Sequence, residues 1–448
     1  MPAQTLSKAQ PVAQADRIQS IDILRGIALL GILLMNIPGF AMPERYSDVF
    51  HQDTHSINFW TDAVITVLFE GKMRALFSMV FGAGILLFVM RKAQNGQPFK
   101  ALFFRRMGWL VLFGLIHAHV LLWEGDILYG YGVIGMLAFI FRNMKPKYLV
   151  WAVPIVAILD FTASTLFYQN IRGQRLAYNS AIALQKQNKP LSKQQLQAIT
   201  TWRATEKEFL PNKTEIAAHT RSMKSDYNGV ASYIRPLTWG FQTKYFIFLI
   251  WDVLALMMLG MALYKWGFMT GGWTATQYRL TALVGYGVGL PLVMLDYYHD
   301  YRQAHGSAAS IHYLETHAMS WWGLIYPFQR ILLVMAHASV LLLMVRAGVF
   351  KGLTNRLAAV GQMAFTNYIM QTMFCTLYFF GYGLNKFADL QYYQLYYVVA
   401  VIWVIQLIVS PVWLKYFLFG PLEWLWRSLT YWQLQPMRRN AQQIAVAV

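Results

Sequence analysis

Ser56-Ile57-Asn58-Phe59-Trp60-Thr61-Asp62-Ala63-Val64-Ile65-Thr66-Val67-Leu68-Phe69-Glu70-Gly71-Lys72 is the stretch on which the reading of this 448-residue chain turns. It is apolar enough to be counted as a membrane crossing, and counting it reverses the orientation of everything after it. Asn58, Asp62, Thr66 and Glu70 recur at every fourth position among Phe59, Trp60, Val64 and Leu68, the spacing of one polar helix face. Such a stripe is unsuited to lipid on all sides. Residues 56–72 therefore read as an amphipathic helix at the outer face of a membrane, or a re-entrant piece, with the stripe turned to protein or water.

Outward from this segment the chain is a series of apolar runs. Stretches of roughly 17 or more residues poor in charge, the length a bilayer core requires, occupy 23–40, 73–90, 107–123, 127–142, 148–168, 245–264, 278–296, 318–346, 357–382 and 391–417. With 57% hydrophobic and only 13% charged residues, the chain reads as an all-α, polytopic membrane helix bundle of about ten transmembrane helices. Charge fixes its orientation. With 56–72 outside and the N-terminus inside, the segments 1–22, 91–106, 142–147, 265–279, 346–356 and 415–448 hold 19 Lys and Arg, while the short outer loops hold only Arg45, Lys72, Arg302 and Lys386. Segment 169–244 carries twelve more, but beyond roughly 60 residues a loop is largely exempt from the positive-inside rule. Both ends are expected inside, with an N-terminal transmembrane half (1–168), an extracytoplasmic helical cap (169–244), and a C-terminal transmembrane half with a cytoplasmic tail (245–448).

The net charge of +18 does not imply nucleic acid, because the basic residues are dispersed at membrane boundaries, where orientation and anionic lipid account for them. Membrane lipid is the expected partner. The single cysteine, Cys375, falls in the ninth run, which rules out a disulfide framework and a cysteine metal site. His299, His305, His312 and His317 follow no ligand spacing, so no metal is expected.

Polar residues inside the runs carry the functional information, since a charge in the bilayer needs a partner or a water-filled cavity. Arg25, Arg74 and Arg330 are the basic ones; Asp160 and Asp252 are the acidic ones, with Asp22, Asp126 and Asp296 at run ends. The expected topology places Asn36, Arg74, His117, His119, Asp126 and Asp252 toward the outer half, where they would converge on one cavity. In Gly114-Leu115-Ile116-His117-Ala118-His119, followed by Trp123-Glu124-Gly125-Asp126, a tight outer turn brings a carboxylate near a histidine helix. A carboxylate that orients an imidazole is a catalytic pairing; a helix-packing hydrogen bond is the plainer reading of His117. His51 and His55 lie in the first outer loop.

Arg17-Ile18-Gln19-Ser20-Ile21-Asp22-Ile23-Leu24-Arg25-Gly26, Glu70-Gly71-Lys72 through Phe81-Gly82-Ala83-Gly84, His117 with Gly125-Asp126-Ile127-Leu128, Thr366-Asn367-Tyr368, and Gly420-Pro421-Leu422-Glu423-Trp424 run from the first span to the tail. Together they resemble the YeiB-like bacterial inner-membrane proteins, a family of unknown function similar to the transmembrane acyltransferase superfamily. Better-understood members, such as the lysosomal heparan glucosaminide acetyltransferase, carry an acyl group from a cytoplasmic acyl-CoA to an acceptor across the membrane. Their Asp-x-x-Arg-Gly start is matched by Asp22, Arg25 and Gly26. The sugar O-acyltransferases place a histidine eleven positions after the basic residue, where this chain has Asn36, which cannot act as a base but can donate to an oxyanion.

The resemblance implies acetyl-CoA or another acyl-CoA as donor, held through Arg25, Lys72 and Arg74, with His117 oriented by Asp126, or else His51, deprotonating an extracytoplasmic glycan or lipid acceptor. Asn36 and Arg74 would stabilise the oxyanion. A homodimer is compatible with this scheme. The rival classes are a transporter or lipid-handling protein, for which intramembrane charges mark a substrate path, and an envelope scaffold, for which they serve packing alone.

Overall fold

The computed structural model describes residues 18–43, 53–94, 99–209, 213–303 and 307–439. Among these, apart from an isolated antiparallel bridge between Phe417 and Arg438, every regular element is helical. In chain order they are α1 (Gln19–Ala41), α2 (Ile57–Leu68), α3 (Lys72–Gln94), α4 (Phe99–His119), α5 (Leu128–Ala138), α6 (Pro146–Lys186), α7 (Lys193–Phe209), α8 (Lys213–Met223) and α9 (Tyr227–Gln242). The second half holds α10 (Phe246–Lys265), α11 (Ala275–Val284), α12 (Leu290–Gln303), α13 (Ser307–Thr316), α14 (Trp322–Ala347), α15 (Lys351–Gln362), α16 (Ala364–Phe379), α17 (Tyr392–Tyr416) and α18 (Pro421–Tyr431). A π-helical turn, Gly285–Gly289, joins α11 to α12.

Among the described residues, seven runs are long and apolar enough to cross a bilayer by themselves: α1, the α2–α3 run Ile57–Arg91, α6, α10, the α11–α12 run Ala275–Tyr301, α14 and α17. The other expected crossings are the ones with compromised apolarity. Helix α4 carries Arg105 and Arg106 in its first half and His117 and His119 at its end. Helix α5 has 11 residues before a 3-10 turn at Phe139–Asn143. The 357–382 run is broken at Met363 into α15 and α16 and buries Asn367, Gln371, Thr372 and Thr376. These three pack against the apolar helices, α5 on α10 and both α15 and α16 on α1, and they bring most of the buried polar side chains of the candidate site.

Residues 56–72 form α2, a separate helix. Ser56 caps it by accepting from Asn58 N at 3.2 Å, and it ends at a turn where Gly71 takes φ +69°. Its 12 residues reach about 18 Å, short of a bilayer core of about 30 Å. The stripe faces protein: Asn58 Oδ1 accepts from Tyr393 N at 3.1 Å, Asp62 Oδ2 from Tyr297 Oη at 3.4 Å, and Thr66 O from Lys72 Nζ at 2.8 Å. Ile57, Trp60 and Val64 are exposed on the opposite side.

Helices in lipid gain little from hiding apolar surface and associate through close packing and hydrogen bonds instead. The tightest crossings here are reciprocal glycine contacts. A Cβ on Gly82 would sit 2.0 Å from Met257 O and one on Gly260 1.9 Å from Met79 O, locking α3 to α10; Gly26 and Gly361 do the same for α1 and α15. Gly82 of Phe81-Gly82-Ala83-Gly84 is thus a packing residue.

Helix α6 runs unbroken through residues 168 and 169, so the expected start of the cap falls inside a continuous helix. Beyond it, Gly381 N donates to Met223 O at 2.8 Å, and His219 stacks on Tyr233 with ring centroids 4.4 Å apart. Burial lowers His219 to about 4, leaving a neutral ring against Phe387. Arg235 Nε donates to His119 O at 3.0 Å, seating α9 on the end of α4.

Candidate functional site

A cavity of about 250 Å³ lies among α1, α3, α4, α5, α16 and α18. One end is cationic, lined by Arg25, Arg91, Arg106 and Arg427; the middle is apolar, with Phe77, Val80, Phe81 and Ile85; Tyr131 and Tyr368 stand in the wall beside α5 and α16. The acidic groups of the wall are engaged. Asp22 Oδ1 accepts from Arg25 Nη1 at 2.8 Å. Glu423 caps the start of α16, accepting from Phe365 N at 2.6 Å, Thr366 N at 3.1 Å and Thr366 Oγ1 at 2.6 Å. Burial nevertheless pushes the Glu423 carboxyl above its usual range, outweighing those hydrogen bonds.

Arg106 differs from its neighbours. Its guanidinium lies 3.7 Å from the Trp426 ring centroid and 5.7 Å from that of Phe88, and among the described residues it has no hydrogen bond or ion pair. Trp426 is itself pinned, Nε1 donating to Arg106 O at 2.9 Å. The cation is held in place by two rings, and no carboxylate among the described residues forms an ion pair with it.

The histidine lies next to Tyr368. Its side chain is fully buried, with ring centroids 5.0 Å from Tyr368. His117 Nδ1 is 2.7 Å from Asp126 Oδ1, and Nε2 is 2.8 Å from Thr372 Oγ1. Asp126 also accepts from Leu128 N at 3.1 Å and Tyr129 N at 2.8 Å, at the start of α5. The backbone donors on Asp126 suit the tautomer in which Nδ1 donates to that carboxylate and Nε2 accepts from the Thr372 hydroxyl. The turn before α5 fits because position 114 has no side chain; a Cβ on Gly114 would lie 2.2 Å from Tyr129 N and 2.7 Å from Asp126 Oδ2.

The remaining expected site residues do not join this group. Arg74 Nη2 donates to Asp252 Oδ2 at 3.2 Å, and Arg330 grips the same carboxylate with both terminal nitrogens, Nη1 at 3.0 Å from Oδ2 and Nη2 on Oδ1. Lys72 is spent on the Thr66 carbonyl, and His119 Nε2 pairs with Gln242 Oε1 at 3.0 Å. Asn36 is half-buried on α1 and does not line the cavity. His55 is exposed, and His51 lies outside the described residues. The expectation of one converging cavity is therefore corrected. Depth along a helix is readable from sequence, but the direction a side chain points around it is not, and Arg74 and Lys72 turn to Asp252 and to the Thr66 carbonyl.

Sequence reading missed Arg106, which it counted only as a cytoplasmic charge, and Thr372, 255 positions from its histidine. It did single out Thr366-Asn367-Tyr368. Thr366 holds Glu423, Asn367 Nδ2 donates to Val360 O at 3.1 Å and Ser410 Oγ at 3.0 Å, and Tyr368 borders both cavity and histidine.

The helices and buried ionic groups define a helical integral membrane protein. Residues 263–433 match the family described as "Protein of unknown function (DUF418)". The uncharacterized protein YxaH of Bacillus subtilis is 27% identical over 445 residues, covering 98% of this chain and 100% of YxaH. The uncharacterized protein YeiB of Escherichia coli is 29% identical over 428 residues, covering 93% and 96%. No solved structure matches. Over nearly its whole length the chain is thus similar to these YeiB-like membrane proteins.

Proposed function

We propose that this protein is an acyltransferase of the bacterial inner membrane, taking an acyl group from a cytoplasmic acyl-CoA and delivering it to an extracytoplasmic glycan or lipid. The observation that carries this reading is Arg106, which has no ion pair among the described residues, in the wall of a cavity it shares with Arg25, Arg91 and Arg427. Guanidinium groups gathered at one end of an otherwise apolar cavity suit a phosphate-bearing ligand with a long arm. Arg106 and Arg25 would hold the phosphates, Phe77, Val80 and Phe81 would exclude water from the arm, and the His117–Asp126 pair would manage the proton. Ten crossings with both ends inside would place the arginine end at the cytoplasm.

The test is acetyl-CoA binding by the purified protein. Arg106→Ala should weaken it about tenfold or more, the scale of a lost charged hydrogen bond, with an unchanged melting temperature. Absence of acetyl-CoA binding by the wild type, together with undisturbed envelope acylation in a deletion strain, overturns the reading. The Arg74–Asp252–Arg330 cluster favours a second one, a transporter, since intramembrane charges also mark substrate paths. Solute or lipid accumulation in the deletion strain with acylation intact would support that reading.

A further inference from the structure

We infer that Thr372 is a nucleophile that carries the acyl group covalently between donor and acceptor, an inference that rests on the acyl-transfer reading. Thr372 Oγ1, His117 Nε2, His117 Nδ1 and Asp126 Oδ1 form a continuous chain with links of 2.8 and 2.7 Å. This is the hydroxyl–imidazole–carboxylate arrangement of nucleophilic acyl transfer, which is recognised by geometry and not by sequence order.

Six helical threonines show the ordinary use of such a hydroxyl, while Thr205 and Thr366 donate to the side chains of Gln174 and Glu423. Thr61, Thr162, Thr200, Thr220, Thr281 and Thr430 each turn Oγ1 back to the carbonyl four residues earlier, at 2.7 to 3.0 Å, the low-cost use of a threonine hydroxyl inside a helix. Thr372 is hydrogen-bonded to an imidazole instead. The histidine has no other use for Nε2, so its lone pair is already positioned to take that proton.

Access runs along one face of α16. Phe365 and Tyr368 line the cavity, and Thr372 follows Tyr368 by four residues, about 6 Å further along the same face. Tyr368 is the last of these to reach the cavity, and its hydroxyl is held by two long hydrogen bonds, both 3.4 Å, with Ile127 N donating to it and Gly125 O accepting from it. The covalent step requires the Tyr368 side chain to turn aside so that the donor reaches Thr372.

In the first half-reaction Thr372 Oγ1 attacks the thioester carbonyl carbon while Nε2 takes the hydroxyl proton. The carbon–sulfur bond breaks, sulfur departs as the thiol with that proton, and an ester remains on Thr372. In the second, the acceptor hydroxyl or amine gives its proton to Nε2 and attacks the ester, and Thr372 Oγ1 leaves and regains the proton. Asp126 holds the imidazolium formed in each.

The experiment needs no acceptor. Full-length protein in lipid nanodiscs is mixed with acetyl-CoA and radiolabelled CoA, and label entering the acetyl-CoA pool is followed. Exchange is expected in the wild type and in Thr372→Ser, with acetyl recovered on the Thr372 peptide by mass spectrometry after an acid quench. It should fall about 100-fold or more in Thr372→Val and His117→Gln, while acetyl-CoA affinity and melting temperature show both variants folded. Acetyl-CoA binding without exchange, or exchange that survives in Thr372→Val, overturns the covalent step and leaves the acyl-transfer reading standing. A wild type that does not bind acetyl-CoA, together with undisturbed envelope acylation in a deletion strain, overturns both.

Discussion

The His117–Asp126–Thr372 cluster and the Arg74–Asp252–Arg330 cluster sit in one bundle and join three segments each, yet they use opposite electrostatics. In the first, every link is a single hydrogen bond through a group that can gain or lose a proton, and Tyr368 connects it to the cavity. In the second, two guanidinium groups clamp one carboxylate across α3, α10 and α14. Guanidinium does not deprotonate in proteins, so that cluster has no proton to pass. Both are buried ionisable groups of a kind sequence reading weighs alike. Their partners assign one to chemistry and the other to holding helices together.

The comparison breaks most visibly at Asp252. Asp252→Ala leaves two cations facing each other inside the bundle and should cost about 3–5 kcal/mol, read as loss of folded protein on heating in detergent. A wild-type melting curve would remove the structural role assigned to the cluster. Gly114→Ala comes next: its methyl would overlap Tyr129 N and Asp126. About 1–3 kcal/mol of stability should go, and CoA exchange should fall by far more than the loss of folded protein explains. If exchange is untouched, the tight turn does not position Asp126.

The smallest effect is at Glu315 on α13, which accepts from Arg175 Nε at 2.6 Å and Asn179 Nδ2 at 2.9 Å. Hydrogen bonds from Asn179 and Arg175 hold its carboxyl below the usual range. Its stabilisation is therefore present above the ordinary carboxylate pKa and is lost as pH falls through the depressed folded value. This partly exposed link is worth less than about 1 kcal/mol. Glu315→Gln should lower the melting temperature slightly at neutral pH and flatten its decline in acid; an unchanged acid limb would sink this assignment.

The helices were legible because lipid demands long apolar runs, and α2 because its polar stripe has a helix period. The His117–Asp126 pair was legible because both residues flank one short turn. Thr372 was not, since its only signal is spatial, and a threonine in an apolar run ordinarily back-bonds to its own helix. Arg106 was hidden by its abundance, one basic residue in a segment whose positive charges orientation already explained. Lys72 and Arg74 misled for a geometric reason: a sequence gives height along a helix with 1.5 Å per residue, but which neighbour a residue faces depends on how helices are arranged around it.

Three consecutive side chains of α16 are tied in three directions: Thr366 to α18, Asn367 to α15 and α17, and Tyr368 to the turn before α5. Successive residues of a helix point about 100° apart, so no rotation of α16 about its axis preserves even two of these ties. The helix is left without that degree of freedom. Movement that admits a substrate must then come from swinging α18 aside, from flexing at the Met363 break or from the Tyr368 side chain alone, and α16 serves as the fixed post against which all three are measured.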